Sequence, residues 1–284
     1  MKTDRRETAE IYQGLVNYAA FVDKAVVDVW GTRRVRAGDG FVQRRNLAIG
    51  GHGRFYARAI RGRSGASGNG LQVAYGVMRP FGHVAPFKWT FWAGRRPVMC
   101  SDTLVVLDSF FRSAYRARVS RVELTFDVEG ISQSELAWSL CTRARSLDEV
   151  DSGYGRTLYV GSVRAEWQAK IYQRTYSVVR IEFMLRSSFL RKTGINRPHD
   201  LYRLCRAPVF DLLSFKRIDR SSAESLPPRL KRFWKALGHG VPPIDIPPSF
   251  IQKTCREDGV NPDPWVVPSS YQKLLRRMQR QLVW

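Results

Sequence analysis

Hydrophobic and polar residues alternate most cleanly in the middle of the chain. In RVELTFDV (residues 121–128), Leu124, Phe126 and Val128 fall on one side, and Arg121, Glu123, Thr125 and Asp127 on the other. That two-residue period belongs to a half-buried strand. AKIYQR sets Lys170, Tyr172 and Arg174 opposite Ile171, and VVRIEFMLR sets Arg180, Glu182 and Arg186 opposite Val179, Ile181, Phe183 and Leu185. TLYVGS, after the turn DSGYGR, predicts another strand, whereas SQSELAWSLCTRARS (132–146) has a helical period behind capping residues. Strand, helix, then three strands predict an α+β fold: a central antiparallel or mixed sheet with helices packed on one face.

The flanks are less regular. Residues 9–21 suit a short helix, and KAVVDVWG, LQVAYGVM and KWTFWAG suit strands. Between them lie basic segments broken by glycine, with RGRSGASGNG (61–70) read as a loop or hairpin tip, and 101–118 read as an amphipathic helix. Beyond residue 190, LYRLCRAPVFDLLSF, LPPRLKRFWKALG and the closing SSYQKLLRRMQRQLVW read as helices, and the prolines of 241–268 predict an extended connection. The chain is therefore divided into residues 1–190, with a core at about 120–186, and a helical, proline-containing extension at 191–284.

Charge narrows the class. Lys and Arg number 47 against 25 Asp and Glu, a net of +22. Self-repulsion on this scale is relieved by a polyanion, and the arginine-rich balance suits phosphate and base contacts. The basic residues are scattered rather than gathered on one amphipathic helix, so nucleic acid is expected and a membrane is not. No apolar run approaches a membrane span, and MKTDRRETAE carries no apolar stretch of a signal peptide, so a soluble, cytoplasmic protein is expected. Cys100, Cys141, Cys205 and Cys255 form no CxxC pair, which argues against zinc and disulfides. Basic and aromatic residues interleave in GRFYARAIRGR, FKWTFWAGRR and LKRFWKALG, a composition that meets phosphate and stacks on bases. Expected DNA contacts are Arg180, then Arg229, Lys231, Arg232 and Lys235, and Arg276, Arg277 and Arg280 in the closing helix. No P-loop is present, so no helicase is encoded.

If the three alternating segments share one sheet, one polar face collects carboxylates, a tyrosine, a lysine and arginines. Any half-buried sheet has such a face, and ordinary ion pairing accounts for carboxylates among arginines. Phosphodiester cleavage gives the same set a sharper meaning: a nucleophile, groups that neutralise phosphate, and carboxylates able to hold a hard divalent ion.

RVELTFDV, GRTLYVGS, KIYQR and VVRIEFMLR, in this order and spacing, resemble the replication initiation factor family, the rolling-circle initiators of plasmids and filamentous phages. The likeness covers residues 120–186. It implies a divergent Rep-like nicking fold, cleavage of one DNA strand, and strand transfer through a 5′-phosphotyrosine. It implies Tyr172 as nucleophile, Asp127, Glu182 and Glu123 as ligands of Mg²⁺ or Mn²⁺, and Arg174, with Lys170 on the same face, as phosphate-neutralising cations. It also implies origin DNA, a host helicase and a polymerase as partners in a bacterial cell, and is compatible with a homodimer. Gln173 and Glu123 depart from the family's usual acidic residue and aspartate, and Tyr176 stands as a second tyrosine four residues on. The histidines (His52, His83, His199, His239) form no H-x-H pair. A relaxase or transposase using the same tyrosine, and a regulator that binds DNA without cleaving it, remain alternatives.

Overall fold

The computed structural model describes residues 18–30, 41–46, 56–64, 70–77, 85–93, 116–142, 144, 146–152, 155–237 and 246–282. Their dominant feature is a ten-stranded antiparallel sheet. Its strands are β1 (Tyr18–Trp30), β2 (Phe41–Asn46), β3 (Tyr56–Ser64), β4 (Gly70–Val77), β5 (Phe87–Trp92), β6 (Arg116–Glu129), β8 (Leu147–Ser152), β9 (Gly155–Val160), β10 (Trp167–Gln173) and β11 (Val178–Arg186). They lie in the order β2-β3-β4-β5-β1-β6-β11-β10-β9-β8. The expected α+β class with an antiparallel sheet is what forms. A second, three-stranded sheet joins β7 (Leu140–Thr142), β12 (Leu213–Ile218) and β13 (Val266–Pro268).

Helix α1 (Gln133–Ser139) starts on a complete capping box: Ser132 Oγ accepts from Glu135 N–H, and the Glu135 side chain accepts from Ser132 N–H. It is half the expected length, because Leu140–Phe215 and Thr142–Leu213 pairing draws the next residues into β7. The same pairing converts Leu213, Ser214 and Phe215 from expected helix to strand. Later come α2 (Ser187–Lys192), a 3₁₀ stretch (Pro198–Arg206), α3 (Val209–Leu212), α4 (Pro228–Leu237), α5 (Pro248–Glu257) and α6 (Ser270–Arg280). Helix α5 lies within the segment read as extended. The helix expected at 9–21 meets β1 from residue 18, its earlier residues lying outside the described ones, and 116–118 of the helix expected at 101–118 belong to β6.

The apolar face of the sheet carries the core. Val22, Leu124, Phe126, Ile171, Ile181 and Phe183 are wholly buried. Phe210 of α3 meets Phe126 and Phe183 edge-on at 5.1 and 5.6 Å, aromatic contacts of about 0.5–1.5 kcal/mol each beyond their area. Leu275, Met278 and Leu282 join the same cluster. Two glutamines fasten α6 there. Gln272 accepts from Phe215 N–H at 2.8 Å, and Gln279 donates to the carbonyls of Leu204 and Ala207 at 2.8 and 2.6 Å. Residues on both sides of the boundary expected near 190 thus share one core, and a smaller cluster forms around Ile218, Leu230, Ile251 and Cys255.

Candidate active site

Strand register assembles the polar face row by row. Tyr172 pairs with Arg180, Arg180 with Asp127, and Asp127 with Ala19. In the next row Lys170 pairs with Glu182, Glu182 with Thr125, and Thr125 with Phe21. Opposed residues in an antiparallel sheet share a face, so Tyr172, Lys170, Asp127 and Glu182 come together on the side opposite the helices, as the alternation predicts.

Arg180 anchors this face. Its Nε donates to Asp127 Oδ1 at 2.6 Å and its Nη2 to Asp127 Oδ2 at 2.8 Å, both side chains being buried. Arg174 reaches the same Asp127 Oδ2 from the end of β10. Burial alone would lower the Arg180 pKa, but the hydrogen bonds and charge of Asp127 push it the other way, fixing the cation. The Phe21 ring closes one side, 5.6 Å from the guanidinium carbon. Arg180, expected to contact DNA, is therefore spent on Asp127 and holds the face together.

Tyr172 Oη donates to Glu182 Oε1 at 2.6 Å. Lys170 Nζ lies 3.7 Å from the other oxygen, Oε2, and Arg180 Nη1 lies 3.9 Å from Oε1. Burial raises the phenol pKa, the hydrogen bond and charge of Glu182 add to the rise, and Arg180 opposes it. The phenol thus keeps its proton at neutral pH and points it at a carboxylate, the geometry of a nucleophile beside its base. Tyr176 lies apart, in the turn between β10 and β11, and is fully exposed. Gln173 clips that turn, its Nε2 donating to the carbonyls of Thr175 (2.8 Å) and Tyr176 (3.3 Å). Behind β10, Gly161 of GRTLYVGS turns at a φ of 88°, where an added Cβ would lie 3.1 Å from the Trp167 carbonyl. Glycine is required there on both counts.

No known family and no curated protein sequence matches this chain. Among solved structures it is similar to the rolling circle replication initiator protein from Geobacillus stearothermophilus. The two share 15% identity over 81% of this chain and 98% of the other, with a TM-score of 0.48.

The expected metal ligands share the face but are already committed to cations. Asp127 is held by Arg180 and Arg174, Glu182 by Tyr172 with Lys170 beside it, and Glu123 by Arg121, with Lys24 Nζ at 3.5 Å. Among the described residues no three His, Cys, Asp or Glu side chains converge as a metal ion requires. This arrangement does not fit the expected three-carboxylate centre.

One acidic residue was not anticipated. Register slips between Val22–Leu124 and Lys24–Glu123, leaving Asp23 as an extra residue in β1, and its carbonyl accepts from Ala93 N–H at 2.7 Å. Such a bulge re-aims side chains. Burial raises the Asp23 pKa above the ordinary aspartate value, Arg180 opposes the rise, and the charges of Glu182 and Glu123 add to it. Thr125, opposite Glu182 and Phe21, has its Oγ1 buried without a hydrogen-bond partner among the described residues. The signal was present as two adjacent polar residues, Asp23 and Lys24, inside an apolar strand.

The expected DNA contacts outside this face are dispersed. Arg229 pairs with Asp258, and Arg276 Nη2 lies 3.4 Å from Asp211. Lys231, Arg232, Arg277 and Arg280 are exposed, while the side chain of Lys235 lies outside the described residues. Among the described residues no helix is long and apolar enough to cross a membrane.

Proposed function

We propose that this chain is a rolling-circle replication initiator, a DNA nickase and strand transferase whose nucleophile is Tyr172. The observation that carries the reading is the Tyr172–Glu182 hydrogen bond on a face where Lys170 and Arg174 supply positive charge. The four ordered motifs support it from the sequence side.

In the proposed reaction Tyr172 Oη attacks the scissile phosphorus while its proton passes to Glu182. The bond from phosphorus to the 3′ oxygen breaks, the departing oxygen takes up the proton from Glu182, and the 5′ end stays joined to Tyr172 as a phosphodiester. Attack by a free 3′ hydroxyl reverses the step and rejoins a strand without outside energy. Lys170 and the exposed part of Arg174 offset charge on the non-bridging oxygens, which grows in the transition state. Arg180 acts at one remove: it keeps Asp127 neutralised and holds β6 and β11 in place. DNA is the substrate and principal partner in this reading. The Mg²⁺ or Mn²⁺ expected from the resemblance enters no step here.

The test is covalent capture of a labelled single strand bearing the nick site. Wild type and Tyr176→Phe should form the adduct, and Tyr172→Phe should form none while binding the strand as tightly as wild type. Adduct formation by Tyr172→Phe would overturn the assignment. Tight binding without adduct in every variant, wild type included, would favour the non-catalytic regulator.

A further inference from the structure

A cleft of about 690 Å³ opens on the helical side of the sheet, between the end of the 3₁₀ stretch, α3 and α6. Arg206, Arg276 and Arg280 line it, with Asp211, Phe210 and Gln279. Phe210 also touches Phe126 and Phe183. Those residues alternate with Asp127 and Glu182, which face the other way, so the cleft and Tyr172 lie on opposite sides of the sheet.

We propose that this cleft is a phosphate-binding site for a nucleic-acid strand. Three guanidinium groups line it against one carboxylate, and planar forks match phosphate oxygens two at a time. Arg206 and Arg280 are exposed. Each ends a helical segment, where a cation also relieves the carboxyl-end dipole. That accounts for their separate positions but not for their meeting across one cleft. Gln279 braces the walls: its Nε2 bridges the carbonyls of Leu204 and Ala207, fixing α6 against the turn that carries Arg206. Arginines held on a braced frame lose less freedom on binding. Asp211, 3.4 Å from Arg276, is the one acidic group in the lining among the described residues and tempers its field.

The site rests on the reading of the chain as DNA-handling, but not on its nicking chemistry. The test uses the full chain, a single-stranded oligonucleotide, and affinity measured against salt. Arg206→Gln combined with Arg280→Gln should make the salt dependence shallower by about 1.4, two phosphate contacts at about 0.7 each. Asp211→Asn should bind about threefold tighter, the scale of one exposed ion pair released. An unchanged slope in the double variant, with no saturable binding of a deoxynucleoside monophosphate to the wild type, overturns the site. Saturable binding of a deoxynucleoside monophosphate that the double variant loses, with the DNA slope unchanged, overturns the assignment to a strand. Both measurements repeated on Tyr172→Phe read the site apart from cleavage, so failure of the nicking proposal leaves their result standing.

Discussion

Arg180 and Asp127 face each other across β11 and β6 and bind through both oxygens of the carboxylate, with both side chains out of water. Removing one member of a buried pair strands the other, at about 3–5 kcal/mol. Asp127→Ala and Arg180→Met should each lose stability on that scale, read as a lower urea midpoint at pH 7. A cost below about 1 kcal/mol would mean that the pair is solvated.

Glu182→Gln keeps the shape of the side chain but removes the proton acceptor from Tyr172. Cleavage should fall by about 10²–10⁴, the usual worth of a positioned base, with strand affinity unchanged. Burial still holds the Tyr172 phenol protonated, so the residual rate should climb about tenfold per pH unit between pH 7 and 9 as hydroxide takes over. Full activity in Glu182→Gln would remove the carboxylate from the mechanism.

Asp23 is strained as an anion. Its pKa is raised in the folded chain above the ordinary 3.8. A raised pKa contributes stability that is present below the unfolded value and is lost as pH rises through the folded one. At pH 7 the ionised carboxylate therefore counts against folding. Asp23→Asn should raise Tm at pH 7, with the gain shrinking as pH falls through the raised folded pKa and gone below about 4, where the carboxyl is protonated in both states. An equal gain at both ends would trace the effect to something other than charge.

Gln279 donates to the carbonyls of Leu204 in the 3₁₀ segment and Ala207 just past its end, from inside the core. Gln279→Ala should cost about 1–3 kcal/mol, two hydrogen bonds at about 0.5–1.5 each, since both carbonyls keep a backbone donor, Ala207 N–H for Leu204 and Val209 N–H for Ala207. Cutting the chain before residue 225 would remove α6 altogether. Leu275, Met278 and Leu282 belong to the main core, and their loss would expose it. Thermal unfolding of the cut chain should show a broad, weak transition.

The central strands were legible because a sheet with one wet face writes its period into the sequence. Lys170, Tyr172 and Glu182 could be placed on one side from alternation alone. What alternation could not show was which cation each carboxylate would choose, since that depends on register between strands far apart in the chain. Arg180 read as a DNA contact for this reason, yet it sits opposite Asp127. Asp23 was missed because a bulge suspends the alternation that would reveal it. In LCT and LLSF the pairing of two segments some 70 residues apart outweighed a local helical pattern. The cleft beside α6 was invisible because Arg206 and Arg280 meet only after the helices fold back on the sheet.

The extra residue in β1 is a local insertion in an otherwise continuous strand. Val22 and Lys24 pair with the neighbours Leu124 and Glu123, so a chain shortened by Asp23 alone closes that irregularity with no side chain changing face, leaving the shift between Val26 and Val27 as it is. The bond from Ala93 N–H to the Asp23 carbonyl would be lost with it. Position 23 is thus a place where one codon can be lost without turning the side chains on either side of it to the other face of the sheet.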